Sequence, residues 1–154
     1  RDLRMSRGLG DVYKRQPFNA CYVSPMHRAI ETATTIIQDR DIPLFINNNL
    51  KEFNFGSIEG DSEDKLKDIY PIMQGLTVDN FDGDTMQDFT KRILKGLDEI
   101  HKENKDGNIL IVTHSGVITA LLNTISNLPR KDIVHIKNCS VTQLEWNYGW
   151  KLCN

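Results

Sequence analysis

A histidine follows closely on the most apolar short run of the chain. Residues 109–112 (ILIV) are four apolar β-formers, a pattern typical of a strand buried on both faces of a parallel sheet. His114 therefore lies on the turn after this strand, at the edge where open α/β sheets bind ligands. The backbone N–H groups of Ser115, Gly116 and Val117 open the next helix and could hold an anion. The alternative is a polar residue tolerated in an exposed turn.

Segments with strand and helix patterns alternate along the chain from Phe18 onwards. Strands are predicted at residues 20–23, 44–46, 109–112, 133–136 and 141–146. Helices are predicted at residues 26–38, 62–70, 85–104 and from 117 to about 125. This alternation predicts an α/β fold, with helices on both faces of a mostly parallel sheet that closes with an antiparallel edge.

The composition is that of an ordinary globular protein. The 154 residues can form one domain with a substantial core, and 19 basic against 21 acidic residues give a net charge of −2. This balance implies no bulk attraction to nucleic acid or to a membrane surface. The cysteines Cys21, Cys139 and Cys153 lack metal-ligand spacing, and Cys21 is predicted to be a small buried residue. A reducing, cytoplasmic setting is therefore expected.

Residues 1–16 differ in character from the rest of the chain. They contain five basic residues against two acids and show no apolar periodicity. We expect a non-native or disordered leader here, and a native basic tail is the alternative. The domain is then expected to occupy residues 17–154.

Four separated stretches resemble the motifs of one family. Residues 24–33 (SPMHRAIETA) resemble its Ser-Pro-x-x-Arg-Ala-x-x-Thr-Ala segment, and residues 50–60 (LKEFNFGSIEG) resemble its Leu-x-Glu-x-x-x-Gly-x-x-Glu-Gly loop. Residues 112–118 (VTHSGVI) resemble its second histidine motif, and residues 83–85 (GDT) resemble the start of one of its helices. The family is the histidine phosphatase superfamily, in its phosphoglycerate mutase-like branch. The resemblance implies a three-layer α/β/α sandwich.

The resemblance also implies roles for four residues. Arg28 would bind phosphate through its planar guanidinium, whereas by itself it would be taken for a surface cation on a helix. Glu52 would be the general acid that protonates the leaving alcohol, and otherwise a solvated loop carboxylate. His114 would bind the phosphoryl group and stabilise its charge, with the N–H of Ser115 as a further donor.

The other candidate residues receive structural interpretations. His27 falls at a variable place in its motif, His101 in a charged helix end, and His135 in a predicted edge strand. Asp82 and Asp84 could suggest a cation site, but acids near a helix start more often interact with the helix dipole. The resemblance implies neither a metal nor any other cofactor.

The nucleophile of the family is a histidine in an Arg-His-Gly motif at the end of the first strand. This sequence has Arg7-Gly8 without a histidine between them, and no such motif elsewhere before Phe18. The chain as given is therefore expected to lack the nucleophilic histidine and the first family strand, so the domain at residues 17–154 would be partial. It should then be inactive and of poor stability, because neighbouring strands would keep unpaired backbone groups.

The function expected by resemblance is that of a phosphomonoesterase acting through a phosphohistidine on a small phosphorylated metabolite. One alternative is phosphoryl transfer of the phosphoglycerate mutase type; the other is a non-catalytic phosphate-binding protein. A phosphatase is preferred to a mutase because the segment 61–84 is short. The partners expected are a small phosphorylated substrate, no nucleic acid and no membrane, and a homodimer is left possible.

Overall fold

The computed structural model describes residues 17–56, 59–60, 82–126 and 136–153. The leader 1–16, the helix predicted at 62–70, most of the strand predicted at 133–136 and His135 lie outside these residues. The strands are β1 (Ala20–Val23), β2 (Leu44–Ile46), β3 (Ile109–Val112), β4 (Leu144–Trp146) and β5 (Trp150–Leu152). The helices are α1 (His27–Ile37), α2 (Met86–Glu103) and α3 (Ser115–Ser126), with a 3₁₀ turn at Asn48–Leu50.

The first three strands form a parallel sheet in the order β2-β1-β3. All four residues of β1 are buried, because β1 has a hydrogen-bonded strand on each side. Both faces of β3 are covered as expected, with Leu110 on the side of α1 and Ile109 and Ile111 on the side of α2, but only Val112 is fully buried and the three residues before it are half-buried. The reason is that β3 lies at an edge of the sheet within the described part of the chain.

Helices cover the two faces of this sheet. Because side chains alternate along a strand, Cys21 and Val23 point to one face and pack with Ala29, Ala33 and Ile36 of α1. Ala20 and Tyr22 point to the other face and pack with Leu50 and with Ile100 of α2. The predicted three-layer arrangement is therefore confirmed. Cys21 is fully buried as predicted, and burial raises the pKa of its thiol to about 12.

Helices α2 and α3 lie on the same face and share a core. The apolar spacing predicted for α2 places Phe89, Ile93 and Leu97 against Val117 and Leu121 of α3. Ile93 and Leu97 are almost completely buried, and each such side chain stabilises the fold by about 1.5–3 kcal/mol. This contact fixes the two helices relative to each other, and the candidate site lies between their N-terminal ends.

The C-terminal strands differ from the prediction. The strand expected at residues 141–146 is only Leu144–Trp146, and it pairs antiparallel with Trp150–Leu152, a strand that was not predicted. The turn between them places Tyr148 and Gly149 at positive φ, which apolar alternation does not detect. Among the described residues this hairpin is a separate two-stranded sheet, not an edge of the parallel one. Within the described part of the chain, no helix is long and apolar enough to cross a membrane.

Candidate functional site

His114 and Ser24 come together because their strands are parallel neighbours. Val23 and Val112 are paired at the carboxyl ends of β1 and β3, and the N–H of Ser24 donates to the carbonyl of Val112 at 3.0 Å. The residues that follow the two strands therefore lie close together, and Nε2 of His114, the second residue after β3, is 2.8 Å from Oγ of Ser24. Both side chains are buried, so this hydrogen bond fixes the imidazole at the sheet edge where a ligand is expected.

Burial and two charged residues set the protonation of His114. Burial lowers the pKa of its imidazole below the ordinary 6.5, the Glu52 carboxylate raises it, and the Arg28 guanidinium lowers it further. Since burial is the largest of these effects, the imidazole is mostly neutral at neutral pH. Both predicted partners, Arg28 and Glu52, are thus close enough to His114 to act on its charge.

Glu52 lies at the N-terminus of the helix that His114 precedes. The N–H of Gly116 donates to Oε2 of Glu52 at 3.2 Å, and the N–H of Phe53 donates to Oε1 at 2.9 Å. A Cβ added to Gly116 would lie 2.2 Å from Oε1 of Glu52, so only glycine leaves room for the carboxylate. The hydroxyl of Thr113 donates to the carbonyl of Leu50 at 2.8 Å, a second link between this loop and the end of β3.

A cleft of about 280 Å³ opens beside the Glu52 carboxylate and Ser115. Apolar side chains form much of its wall, and the face of α3 adds polar groups. The lining residues are Glu52, Phe53, Phe55, Met86, Phe89, Ser115, Gly116, Thr119, Ala120 and Asn123. Oδ1 of Asn123 is buried and accepts no hydrogen bond from the part of the chain that the structure describes. The cleft can hold an organic group next to the carboxyl.

The structure thus brings three of the predicted site residues together. His114 and Glu52 meet at the start of α3, and Ser115 is exposed in the adjoining cleft. Arg28 is exposed on the first turn of α1 and acts on His114 through its charge. Within the described ranges, no group of three or more His, Cys, Asp or Glu side chains is arranged to hold a metal ion.

Two further site residues were missed by sequence reasoning. Ser24 was part of a motif, but its hydrogen bond to His114 needs the strand pairing to be known. Arg92 looks like a surface cation on α2, yet its guanidinium donates to the main-chain carbonyl of Glu52. Asp84 was interpreted as a partner of the helix dipole, and its carboxylate instead pairs with Arg92 at 2.8 Å. The opposite charges at positions 84 and 92 could have suggested this ion pair, but no sequence signal marks the contacts of Arg92 with main-chain carbonyls.

The remaining described histidines lie away from this arrangement of contacts. His27 forms an exposed pair with Glu31 at 3.6 Å, one helical turn along α1. His101 stacks on Trp146 with ring centroids 4.2 Å apart, so it joins α2 to the C-terminal hairpin. The structural interpretations of these two residues agree with their contacts.

The sequence profile of the histidine phosphatase superfamily (branch 1) matches residues 1–153. The chain belongs to this family. Its fold is that of phosphoglycerate mutase-like proteins: a phosphoglycerate mutase structure from Bacillus anthracis str. Sterne superimposes with a TM-score of 0.80 at 25% identity. That comparison covers 96% of this chain and 76% of the other.

Two curated relatives are phosphatases by name. An uncharacterized phosphatase, PhoE, of Bacillus subtilis (strain 168) is 28% identical over 149 residues, which cover 93% of this chain and 72% of PhoE. A putative phosphoserine phosphatase 2 of Hydrogenobacter thermophilus is 25% identical over 151 residues, covering 90% of this chain and 72% of the relative. These relatives are thus named for reactions on phosphate esters.

Proposed function

We propose that this chain carries the phosphate-binding and proton-donating groups of a phosphomonoesterase acting on a small phosphorylated metabolite. One observation carries the proposal. The Glu52 carboxyl and the buried His114 meet at the N-terminus of α3, where Gly116 N–H lies 3.2 Å from Oε2 of Glu52. The positive end of the helix dipole and the N–H groups of the first turn favour an anion at this place.

The phosphoryl group would lie against His114 with its oxygens toward Arg28. The imidazole of His114 is mostly neutral in the free protein, because burial lowers its pKa. A bound phosphate dianion favours the imidazolium, so binding should draw a proton to His114 and strengthen the contact. The Arg28 guanidinium can offer two parallel N–H donors to phosphate oxygens.

Glu52 would act as the general acid. A carboxylate and a phosphate dianion at one helix terminus repel each other, so bound substrate favours the protonated form of Glu52. This proton can pass to the ester oxygen as the bond from phosphorus to that oxygen breaks, and the alcohol leaves neutral. The apolar cleft beside Glu52 would hold the organic part of the alcohol.

The covalent step would use a histidine of an Arg-His-Gly segment. Its ring nitrogen attacks phosphorus, and water then attacks the phosphohistidine, returns a proton to Glu52 and releases inorganic phosphate. The four histidines of the 154 residues are His27, His101, His114 and His135, and none lies in an Arg-His-Gly sequence. We therefore propose that this polypeptide by itself binds phosphomonoesters without hydrolysing them.

Hydrolysis is favoured over mutase chemistry by two observations. PhoE and the phosphoserine phosphatase relative carry phosphatase names, and the segment from 61 to 84 is short for the additional structure that mutases have there. In a mutase the phosphohistidine would pass its phosphoryl group to a second hydroxyl instead of to water. Net release of inorganic phosphate distinguishes the two reactions.

Binding can be tested on the 154-residue polypeptide with inorganic phosphate, by following the His114 imidazole in an NMR pH titration. Phosphate should raise the pKa of His114, and Arg28→Met should weaken phosphate binding about tenfold or more, the loss of one charge-assisted bidentate contact. Lys102→Met, which removes an exposed cation at the far end of α2, is the matched control. An unchanged His114 titration at saturating phosphate would refute the phosphate site.

The test of turnover begins with sequencing the native genomic locus upstream of the Pro17 codon. If the locus encodes an Arg-His-Gly segment, the protein it encodes should hydrolyse p-nitrophenyl phosphate and lose this activity in His114→Ala. Glu52→Gln should slow hydrolysis of an alkyl phosphate by about 10²–10⁴-fold and that of p-nitrophenyl phosphate far less, since p-nitrophenolate can leave as the anion without taking up a proton. Equal losses on both substrates would exclude Glu52 as the acid.

A further inference from the structure

One face of α2 holds the loop that carries Glu52. Arg92, Gly96 and Glu99 are spaced by four and three residues, so they line one side of the helix. Oε2 of Glu99 accepts a hydrogen bond from the Asn49 side chain at 2.9 Å. A Cβ added to Gly96 would lie 2.8 Å from Cβ of Asn49, so the 3₁₀ turn packs directly on the helix backbone there.

The guanidinium of Arg92 forms the end of this contact nearest to the site. Its Nη1 donates to the carbonyls of Asn49 at 3.1 Å and Lys51 at 3.0 Å. Its Nη2 donates to the carbonyl of Glu52 at 3.3 Å and to the Asp84 carboxylate at 2.8 Å. A single planar side chain therefore fixes three main-chain carbonyls within four consecutive residues, and Asp84 balances its charge.

We propose that Arg92 is a positioning residue, which holds the main chain at Glu52 on α2 so that the Glu52 carboxyl reaches the N-terminus of α3. The main-chain carbonyl of Glu52 lies on Arg92, while its side chain accepts from Gly116 N–H on the other helix. Glu52 thus spans the gap between two helices whose relative position is fixed by their shared core. The catalytic importance of this position rests on the proposed function of Glu52. The placement of the Glu52 main chain by Arg92 does not depend on that function.

The choice of atoms matters for a general acid. An arginine paired with the Glu52 carboxylate itself would stabilise the ionised form and oppose protonation. Arg92 instead contacts the carbonyl oxygen, and its strongest charged contact is to Asp84. The position of the carboxyl is therefore fixed without an ion pair between the Glu52 carboxylate and Arg92.

The test uses the 154-residue polypeptide without any ligand, and follows two signals on the far side of the gap. These are the amide resonance of Gly116 and the pKa of His114, both measured by NMR. Glu52→Ala provides the reference for a lost carboxyl contact: the Gly116 resonance shifts, and the pKa of His114 falls because the nearby negative charge has gone. Lys91→Met, an exposed cation next to Arg92 in sequence, is the matched control.

Arg92→Met should move both signals toward their Glu52→Ala positions, although Arg92 contacts neither Gly116 nor His114 among the described hydrogen bonds. Lys91→Met should leave both at the wild-type positions. Wild-type signals in a folded Arg92→Met variant would overturn the proposal, as would a Glu52→Ala variant in which neither signal moves. A general loss of stability would not reproduce the Glu52→Ala shift, so this readout separates positioning from simple structural support.

Arg92→Lys keeps the test decisive if Arg92→Met fails to fold. A lysine ammonium keeps the charge near Asp84 but cannot present the planar fork that reaches several carbonyls. The Gly116 resonance should then shift part of the way toward its Glu52→Ala position, and a wild-type position would overturn the proposal. Failure of phosphate to bind would refute the proposed function and leave these ligand-free signals unaffected, so the two failures are distinguishable.

Discussion

The helices α2 and α3 begin in different ways although they lie side by side. At the start of α2, Oγ1 of Thr85 accepts a hydrogen bond from the N–H of Asp88 at 3.1 Å, and the Thr85 hydroxyl donates to the Asp88 carboxylate at 2.9 Å. At the start of α3, the N–H of Gly116 donates to the carboxylate of Glu52, 64 residues earlier in the chain. One N-terminus is capped by its own sequence, and the other by a distant loop.

This difference separates a structural helix start from one available for chemistry. A side chain within the helix start, such as Thr85, stays in place whatever binds nearby, so it stabilises the helix and does nothing further. A carboxyl on a separate loop can change its protonation or be displaced by another anion, while the helix N–H groups stay in position. The proposed function therefore uses the start of α3 as its anion site, and it gives the start of α2 no such role.

Gly116→Ala is the most severe test of this difference, and it is measured in the protein encoded at the native locus if that protein carries an Arg-His-Gly segment. The added Cβ would lie 2.2 Å from Oε1 of Glu52, so the carboxyl must shift from its present position at the start of α3. We expect kcat on an alkyl phosphate to fall by about 10²-fold or more, the usual contribution of a positioned acid. Urea unfolding of the variant should show that it is still folded under the assay conditions, so that a loss of stability does not explain the lower kcat.

Thr124→Ala, on an exposed position near the other end of α3, is the control for this experiment and should keep wild-type kcat. If Gly116→Ala retained full activity, the carboxyl contact at the start of α3 would have no part in proton transfer. The contrast between the two helix starts would then be structural only.

A second prediction concerns the effect of pH on stability. Because the pKa of His114 is lower in the folded protein than its ordinary 6.5, the unfolded chain takes up a proton first as the pH falls. The free energy of unfolding should therefore decrease as the pH falls through the range just below 6.5, and show no contribution from His114 above it. Urea unfolding at pH values between about 5 and 7.5 measures this dependence.

Substitution of His114 by glutamine should remove that part of the pH dependence. His27→Gln should retain it, since the His27 side chain is 86% exposed and is paired only at the surface. Identical pH profiles for wild type and His114→Gln would show that the buried imidazole titrates as it does in the unfolded chain.

Much of the fold could be predicted from periodicity, because local pattern and tertiary structure agree there. The three parallel strands have the predicted bounds, and α1 and α2 differ from prediction by one residue at each end. Thr85 was readable as the cap of α2, since both partners of the cap are three residues apart. In the C-terminal hairpin, β4 lies within the strand predicted at 141–146, whereas β5 was not predicted, because three residues after a turn carry too little alternation to detect.

Some residues of the candidate site could also be predicted from the sequence, and others could not. His114 could be predicted because it follows an apolar strand directly, and Glu52 and Arg28 were found through motifs. Arg92 could not, since its partners are main-chain carbonyls about 40 residues away, and a carbonyl leaves no mark on the residue type. Ser24 needed the register of β1 against β3, which apolar patterns do not specify. Contacts between side chain and distant backbone are therefore what sequence reasoning misses here.

The smallest predicted effect completes the comparison at the start of α2. Thr85→Ala removes the side-chain acceptor of the Asp88 N–H and should lower the free energy of unfolding by about 1 kcal/mol, the usual value of an N-cap. The Gly116 resonance and the His114 titration should stay at their wild-type positions, because the shared core of α2 and α3, not the cap, fixes the helices relative to each other.

Thr90→Ala, one turn into α2, is the control without a capping role, since its hydroxyl only donates to the carbonyl of Met86. A change at Gly116 in Thr85→Ala would mean that the start of α2 also takes part in placing Glu52, and the two helix starts would then be coupled instead of independent.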